Sequence, residues 1–241
     1  MECSEINNYL SKFKNIHENK KGIILGTGNT LNQYIKTPDF DDAIHFGVNG
    51  VAQHEHSKLL DYYFIADRNT SNSTYIDRST KQAKKEIINL KCIKLFGQFR
   101  HAKILWPKSQ KHICLTEQDI IDNSAIPFEI GCKKRGSFPQ LVKEINKYCF
   151  GGFQSVIWYA IQFALFTGIN EIYIVGCDLD NTTCLSAGSN QKNNRNVHLI
   201  KFWKNVKKFI QLEYPSVKIV IINPIGLAKL FPNHLKIQGK I

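Results

Sequence analysis

Residues 151–180, GGFQSVIWYAIQFALFTGINEIYIVGCDLD, carry the pattern that decides the fold. Two glycines open the stretch, and residues 154–166 are then apolar nearly all round, which predicts a helix buried on every side. Gly168 stands where a helix C-cap belongs. EIYIVG at 171–176 reads as a strand, and CDLD at 177–180 forms its polar tip. A buried helix feeding an apolar strand is the repeating unit of an α/β architecture.

The same alternation extends outward in both directions. GIIL at 22–25 reads as a strand running into Gly26-Thr27-Gly28, with a helix opening at 29–34. Residues 43–49 form a second strand candidate ending in Asn49, and 62–67 a third ending in Asp67. A helix is expected at 3–17, another at 82–89, a strand at 91–96, and loops at 106–107 and 123–138. Beyond the central stretch, residues 181–196 are rich in Ser, Gly, Asn and Lys, which suits a mobile lid. The helix expected at 197–212 places Leu199, Phe202, Trp203, Val206, Phe209 and Ile210 at amphipathic spacing. A last strand is expected at 217–222 and a short helix at 226–231. The expectation is one α/β domain over 1–241, Rossmann-like, with a mostly parallel sheet flanked by helices.

Composition narrows the function classes. The chain has 241 residues, 43% hydrophobic and 11% aromatic, which excludes a disordered or collagen-like chain. The start is polar and lacks the apolar region of a secretory signal. The apolar run at 156–168 is too short to span about 30 Å of hydrocarbon. Seven cysteines, without a CxxC pair, fit reduced thiols and no zinc site. A cytoplasmic protein is therefore expected. Lys+Arg 32 against Asp+Glu 20 leaves a net charge of +12. Basic clusters at 12–21, 81–94, 133–135 and 201–208 belong to no recognised nucleic-acid module, so nucleic acid is not expected as a partner. They suit solvent, a phosphorylated substrate or an anionic membrane at its inner face. Assembly into a homo-oligomer is left open.

Several residues can carry chemistry. Gly26, Thr27 and Gly28 let a ligand approach backbone amides, which suits phosphate, although an ordinary βα turn explains them as well. Asn49, Asp67, Gly176 and Asp178 stand with that turn at strand ends, where open α/β sheets bind ligands. Each alone is explained by turn chemistry, whereas their coincidence points to a site. Gly152, Gln154 and Ser155 open the buried helix, where glycine permits close approach and the polar pair can donate hydrogen bonds. His198 follows the polar loop and starts a helix, so it is the candidate general base; a surface histidine is the plain alternative. His54 and His56 lack a third ligand in register, so no metal site is expected.

GIILGTGNTL at 22–31 resembles the opening of the bacterial sialyltransferases of glycosyltransferase family 42. It is equally similar to the related family of polysaccharide transferases that includes 6-hydroxymethylpterin pyrophosphokinase. FGVN at 46–49, residues 62–67, the stretch 151–180 and INP at 222–224 through Phe231 resemble further elements of that pattern. The resemblance implies a GT-A-like sialyltransferase fold that binds CMP at the strand edge. It makes His198 the counterpart of the catalytic base. Asn29-Thr30 departs from the usual Pro-Ser, Asp67 replaces Asn, and the lid region lacks tyrosines, leaving Lys192 or Arg195 to face the donor phosphate. The implied function is a glycosyltransferase moving sialic acid from a CMP-sugar donor to a lipooligosaccharide or capsule glycan, with no cofactor. Two alternatives stand beside it. One is ATP-dependent pyrophosphoryl transfer, with Mg²⁺ held by Asp67, Asp178 and Asp180. The other is a non-catalytic nucleotide-binding protein of surface-polysaccharide assembly.

Overall fold

β-branched and aromatic runs bounded by turn residues are pairing segments, and here they join one eight-stranded sheet. The computed structural model describes residues 9–66, 86–99, 121, 124–131, 140–151, 155–179, 195–222, 226–227 and 230–234. The strands are β1 (Lys21–Leu25), β2 (Ile44–Val48), β3 (Tyr62–Ile65), β4 (Ile93–Phe99), β5 (Ile126–Ile130), β6 (Glu171–Val175), β7 (Lys218–Ile222) and β8 (Asn233–His234). Their spatial order is β5-β4-β3-β2-β1-β6-β7-β8, and each neighbouring pair is parallel. This is the α/β class with a parallel sheet flanked by helices.

A parallel sheet must be covered on both faces, and alternation along each strand supplies the two apolar surfaces. Ile24, Phe46, Phe64, Ile174 and Ile221 pack with α1 (Val156–Phe166) and α2 (Arg195–Glu213). Ile23, Leu25, Tyr63, Tyr173 and Val175 form the opposite core with Leu31, Tyr34, Phe40 and Val51. Those last four residues come from 3-10 helices and their ends, at Asn29–Gln33, Pro38–Phe40 and Asn49–Gln53. Among the described residues, long helices cover one face, and the other is covered by these 3-10 turns together with the helical segment 86–89, whose Ile87 is buried there.

Every residue of α1 is buried, as its all-round apolarity predicts. Its end is a Schellman turn: Gly168 has φ +93°, and its amide reaches Leu165 O while that of Ile169 reaches Ala164 O. Gln162 is the polar exception and is fully engaged. Its Oε1 accepts from the amides of Val142 (3.0 Å) and Gly151 (3.1 Å), and its Nε2 donates to the carbonyls of Gly151 (2.9 Å) and Trp158 (3.0 Å). The side chain therefore ties residues 142–151 to the helix that follows them.

Some expectations need correction. The helix expected at 29–34 is a 3-10 helix over Asn29–Gln33, so the turn before it faces no long helix. Within 123–138, expected as loop, lies β5; Pro127 hides it, and Pro is tolerated because β5 is an edge strand. Helix α2 starts at Arg195, which takes 195–196 from the expected lid; residues 180–194 lie outside the described residues. Helical backbone within the expected 3–17 helix covers 9–11, followed by turns. The expected helix at 226–231 shows turns at the described positions. Among the described residues no helix is long and apolar enough to cross a membrane.

Candidate functional site

β1 has β2 on one side and β6 on the other, so the chain reverses its direction of sheet growth there. Such a switch point opens a crevice at the carboxyl ends of the strands, where α/β sheets bind ligands. Gly26-Thr27-Gly28 leaves β1 at this point, Gly176-Cys177-Asp178 leaves β6, and Asn49 leaves β2. Register carries the turns side by side, since Leu25 pairs with both Val175 and Gly47.

The β1 and β6 turns are stitched to one another. Gly26 N–H donates to Val175 O (2.8 Å) and Gly28 N–H to Gly176 O (2.7 Å). Thr30 N–H donates to Asp178 Oδ2 (2.9 Å), its hydroxyl donates to Asp178 Oδ1, and its Oγ1 accepts from Gly176 N–H (3.2 Å). Asp178 O then accepts from Gly226 N–H (2.8 Å), drawing in the segment after β7. Asp178 is 3% exposed and Thr30 4%, so this clasp is inside the protein.

The glycines serve that contact. A Cβ on Gly26 would lie 2.4 Å from Gly176 O, and one on Gly28 would lie 2.6 Å from Asp178 Oδ2. Gly176 has φ +67°, and a Cβ there would lie 2.5 Å from Gly26 O. The amides of Gly26, Gly28 and Thr30 donate within the protein, so of the expected phosphate cradle these three are already engaged. Thr27, half-buried, and Asn29, exposed, are the residues of the turn that reach the surface. Cys177 lies between Gly176 and Asp178, and burial pushes its thiol far above the ordinary range, so it is no thiolate nucleophile.

Asn49 differs from its neighbours. It stands at φ +47°, a left-handed conformation that Asn tolerates better than most residues but at a cost. Its backbone oxygen accepts from Tyr63 Oη (2.7 Å). Its side-chain Oδ1 is buried and has no hydrogen-bond partner. A residue at positive φ with an orphaned acceptor thus stands at the carboxyl edge of the sheet, and chemically it can accept a hydrogen bond there.

The remaining sequence candidates fall as follows. Ser155 is the N-cap residue of α1, but its side chain makes no capping bond. His198 sits in the first turn of α2, and its side chain lies outside the described residues. α2 returns to the amino edge before β7, so its first turn points toward the carboxyl edge. Asp67, Gly152 and Gln154 lie outside the described residues. The fold thus brings together Gly26, Thr27, Gly28, Gly176, Asp178 and Asn49. Thr30 entered the sequence reading only as a departure from the usual Pro-Ser and not as a site residue; its partner Asp178 is 148 residues away, and no local pattern links them. Among the described residues no group of three His, Cys, Asp or Glu could hold a metal ion.

No protein-family model matches the sequence, and no curated protein matches it. Solved structures of the sialyltransferase CstII from Campylobacter jejuni are similar in chain course. The complex with CMP-3FNeuAc aligns at TM-score 0.47 and 16% identity, covering 92% of this chain and 89% of that one. A complex of the CST-II sialyltransferase with a trisaccharide acceptor and CMP gives TM-score 0.47 and 13% identity over the same shares. A complex of the C. jejuni enzyme with cytidine-5'-monophosphate gives TM-score 0.42 and 15% identity, covering 85% of this chain and 80% of that one.

Proposed function

We propose that this protein is a glycosyltransferase that takes sialic acid from a CMP-linked donor and places it on a lipooligosaccharide or capsule glycan. The observation that carries the reading is Asn49: strained, with a buried unpartnered acceptor, beside the switch point of a parallel sheet. The sequence resemblance over 22–31, 46–49 and 151–180 supports a cytidine nucleotide at that edge.

In this reading Asn49 Oδ1 accepts a hydrogen bond from the nucleoside. Thr27 and Asn29 flank the nucleotide on the β1 side, and Ser155 offers its hydroxyl from the start of α1. The inward amides of Gly26, Gly28 and Thr30 fix the shape of the crevice and leave phosphate charge to side chains, Lys192 or Arg195 among them. An acceptor hydroxyl attacks the anomeric carbon, the bond from that carbon to the phosphate oxygen breaks, and CMP departs with the electron pair. His198 takes the hydroxyl proton. The chemistry requires no cofactor and no metal.

The test is thermal denaturation with CMP, UDP, GDP and ATP, each with and without Mg²⁺. CMP alone should stabilise the protein, by about 2.7 kcal/mol at a hundred times its Kd. Stabilisation by ATP with Mg²⁺ but not by CMP replaces this reading with pyrophosphoryl transfer. Asn49→Gly separates binding from folding. It relieves the positive φ and should raise stability by up to about 1 kcal/mol, while CMP affinity falls about tenfold with the lost acceptor. Unchanged CMP affinity in that variant would remove Asn49 from the site.

A further inference from the structure

Helix α2 has one face that the fold leaves uncovered. Lys201, Lys204, Asn205, Lys208, Gln211 and Leu212 are all exposed. At 3.6 residues per turn they fall within an arc of about 120°. Between Arg195 and Leu212 the sequence contains no acidic residue. Lys207 is excluded from this set because its ammonium donates to Leu230 O (2.7 Å) and is spent within the protein.

Beside the stripe runs a groove of about 640 Å³ between α2 and residues 140–148. Asn205, Lys208 and Leu212 belong to both the stripe and the groove, and Leu141, Tyr148 and Phe209 supply its apolar wall. Leu212 is 68% exposed and Tyr148 61%, both large side chains presented to water at its rim. The acidic residue of the opposite wall, Glu144, is paired with Lys14 at 3.2 Å and Lys147 at 4.0 Å, so it does not oppose the lysines alone. Glu213, at the end of the helix, is the other carboxylate of the groove.

We propose that this face docks on an anionic membrane surface. Lysines along the exposed side of a surface helix place their ammonium groups at lipid phosphates, while their stems and neighbouring apolar side chains enter the headgroup layer. Charge complementarity selects this occupant: the stripe carries three exposed lysines in a protein of net charge +12, and Leu212 and Tyr148 supply the apolar contacts that a purely ionic partner would not use. With the helix lying flat, its first turn still points toward the carboxyl edge of the sheet. Docking does not depend on the transferase reading, since it involves neither nucleotide nor crevice.

The experiment is co-sedimentation of the full chain with vesicles of phosphatidylcholine alone and with about 30% phosphatidylglycerol. Binding is expected to the anionic vesicles only, and it should be lost as salt is raised to about 0.5 M. Each lysine near such a surface contributes about a fivefold factor in partitioning, so Lys201→Gln/Lys204→Gln/Lys208→Gln should weaken binding by about a hundredfold. Leu212→Asp should weaken it roughly tenfold. A control, Lys12→Gln/Lys58→Gln/Lys91→Gln, removes the same charge from exposed lysines elsewhere and should leave binding near wild type. Folding of each variant is checked by its melting temperature. Failure of the wild type to bind anionic vesicles overturns the proposal. So does equal loss in stripe and control variants, which would leave net charge as the sole cause. Binding of a duplex oligonucleotide through the stripe lysines, with no vesicle binding, would assign the face to nucleic acid instead.

Discussion

Thr30 performs three tasks with one side chain and one amide, and two of them need a hydroxyl at that point. Its Oγ1 satisfies Gly176 N–H, and its O–H and N–H satisfy the two oxygens of Asp178. Thr30→Val preserves shape but removes the hydrogen bond of the buried Gly176 amide and one of those to the buried Asp178 carboxylate. An unsatisfied buried group costs about 1–3 kcal/mol, so the variant should lose about 2–5 kcal/mol, read by urea denaturation. Thr30→Ser keeps the hydroxyl and should recover most of that loss. A Val variant within about 0.5 kcal/mol of wild type would mean that the clasp contributes little to stability. Asp178 belongs to the same argument: its carboxylate organises the switch point from inside. Its sequence position, after a strand and before a polar stretch, marked it as a candidate site residue but did not show it as the inner half of a clasp.

At the level of elements, α1 depends on what Gln162 holds. The helix itself is secured by burial and its Schellman turn, both readable from apolar residues and Gly168. The packing of residues 142–151 against it was not readable, because the partners of Gln162 are backbone groups without a sequence signature. Gln162→Leu should leave the amides of Val142 and Gly151 and the Gly151 carbonyl unpaired, costing about 3–5 kcal/mol. Gly151→Ala should be comparably damaging, since its Cβ would lie 1.8 Å from Gln140 O and the backbone there would have to move. Equilibrium unfolding of both variants checks the pair. If Gln162→Leu is as stable as wild type, residues 142–151 are held by their other contacts, the backbone bonds of Phe150 to Glu129 and Gly131 among them.

The molecule as a whole responds to acid through buried imidazoles. Burial, nearly complete at His45 and partial at His54 and His17, holds all three below the ordinary histidine value of 6.5. His45 is the deepest, with Nε2 against Tyr34 Oη (3.1 Å) and Nδ1 against Ala43 O (3.1 Å). A depressed value means the folded state favours neutral imidazole. That contribution to stability is present above pH 6.5 and is lost as pH falls below it toward the folded-state values. Urea midpoints should therefore be flat above neutrality and decline on acidification, with His45→Gln showing a shallower decline. An identical slope in the variant would remove His45 from the effect. Glu171, held low first by its hydrogen bond from Lys218, adds loss in the same direction at lower pH.

What the sequence determined by itself was the α/β alternation, the buried helix, its glycine end and the strand edge at which polar residues gather. These are local or periodic features, set by residue type and spacing, and short-range physics is enough to read them. It also marked Asn49 and Asp178, because strand ends restrict which residues stand there. Tertiary structure alone decided what each one does. The strand order placed β6 beside β1, and only that neighbourhood turned Gly26, Gly28 and Gly176 into points of backbone contact. It closed the Thr30–Asp178 clasp and turned three amides inward, while leaving Asn49 Oδ1 without a partner. It paired β5 with β4 although Pro127 concealed the strand. Hydrogen bonds between residues more than a hundred positions apart follow from topology, and topology is fixed by which apolar faces can be buried together rather than by any local motif.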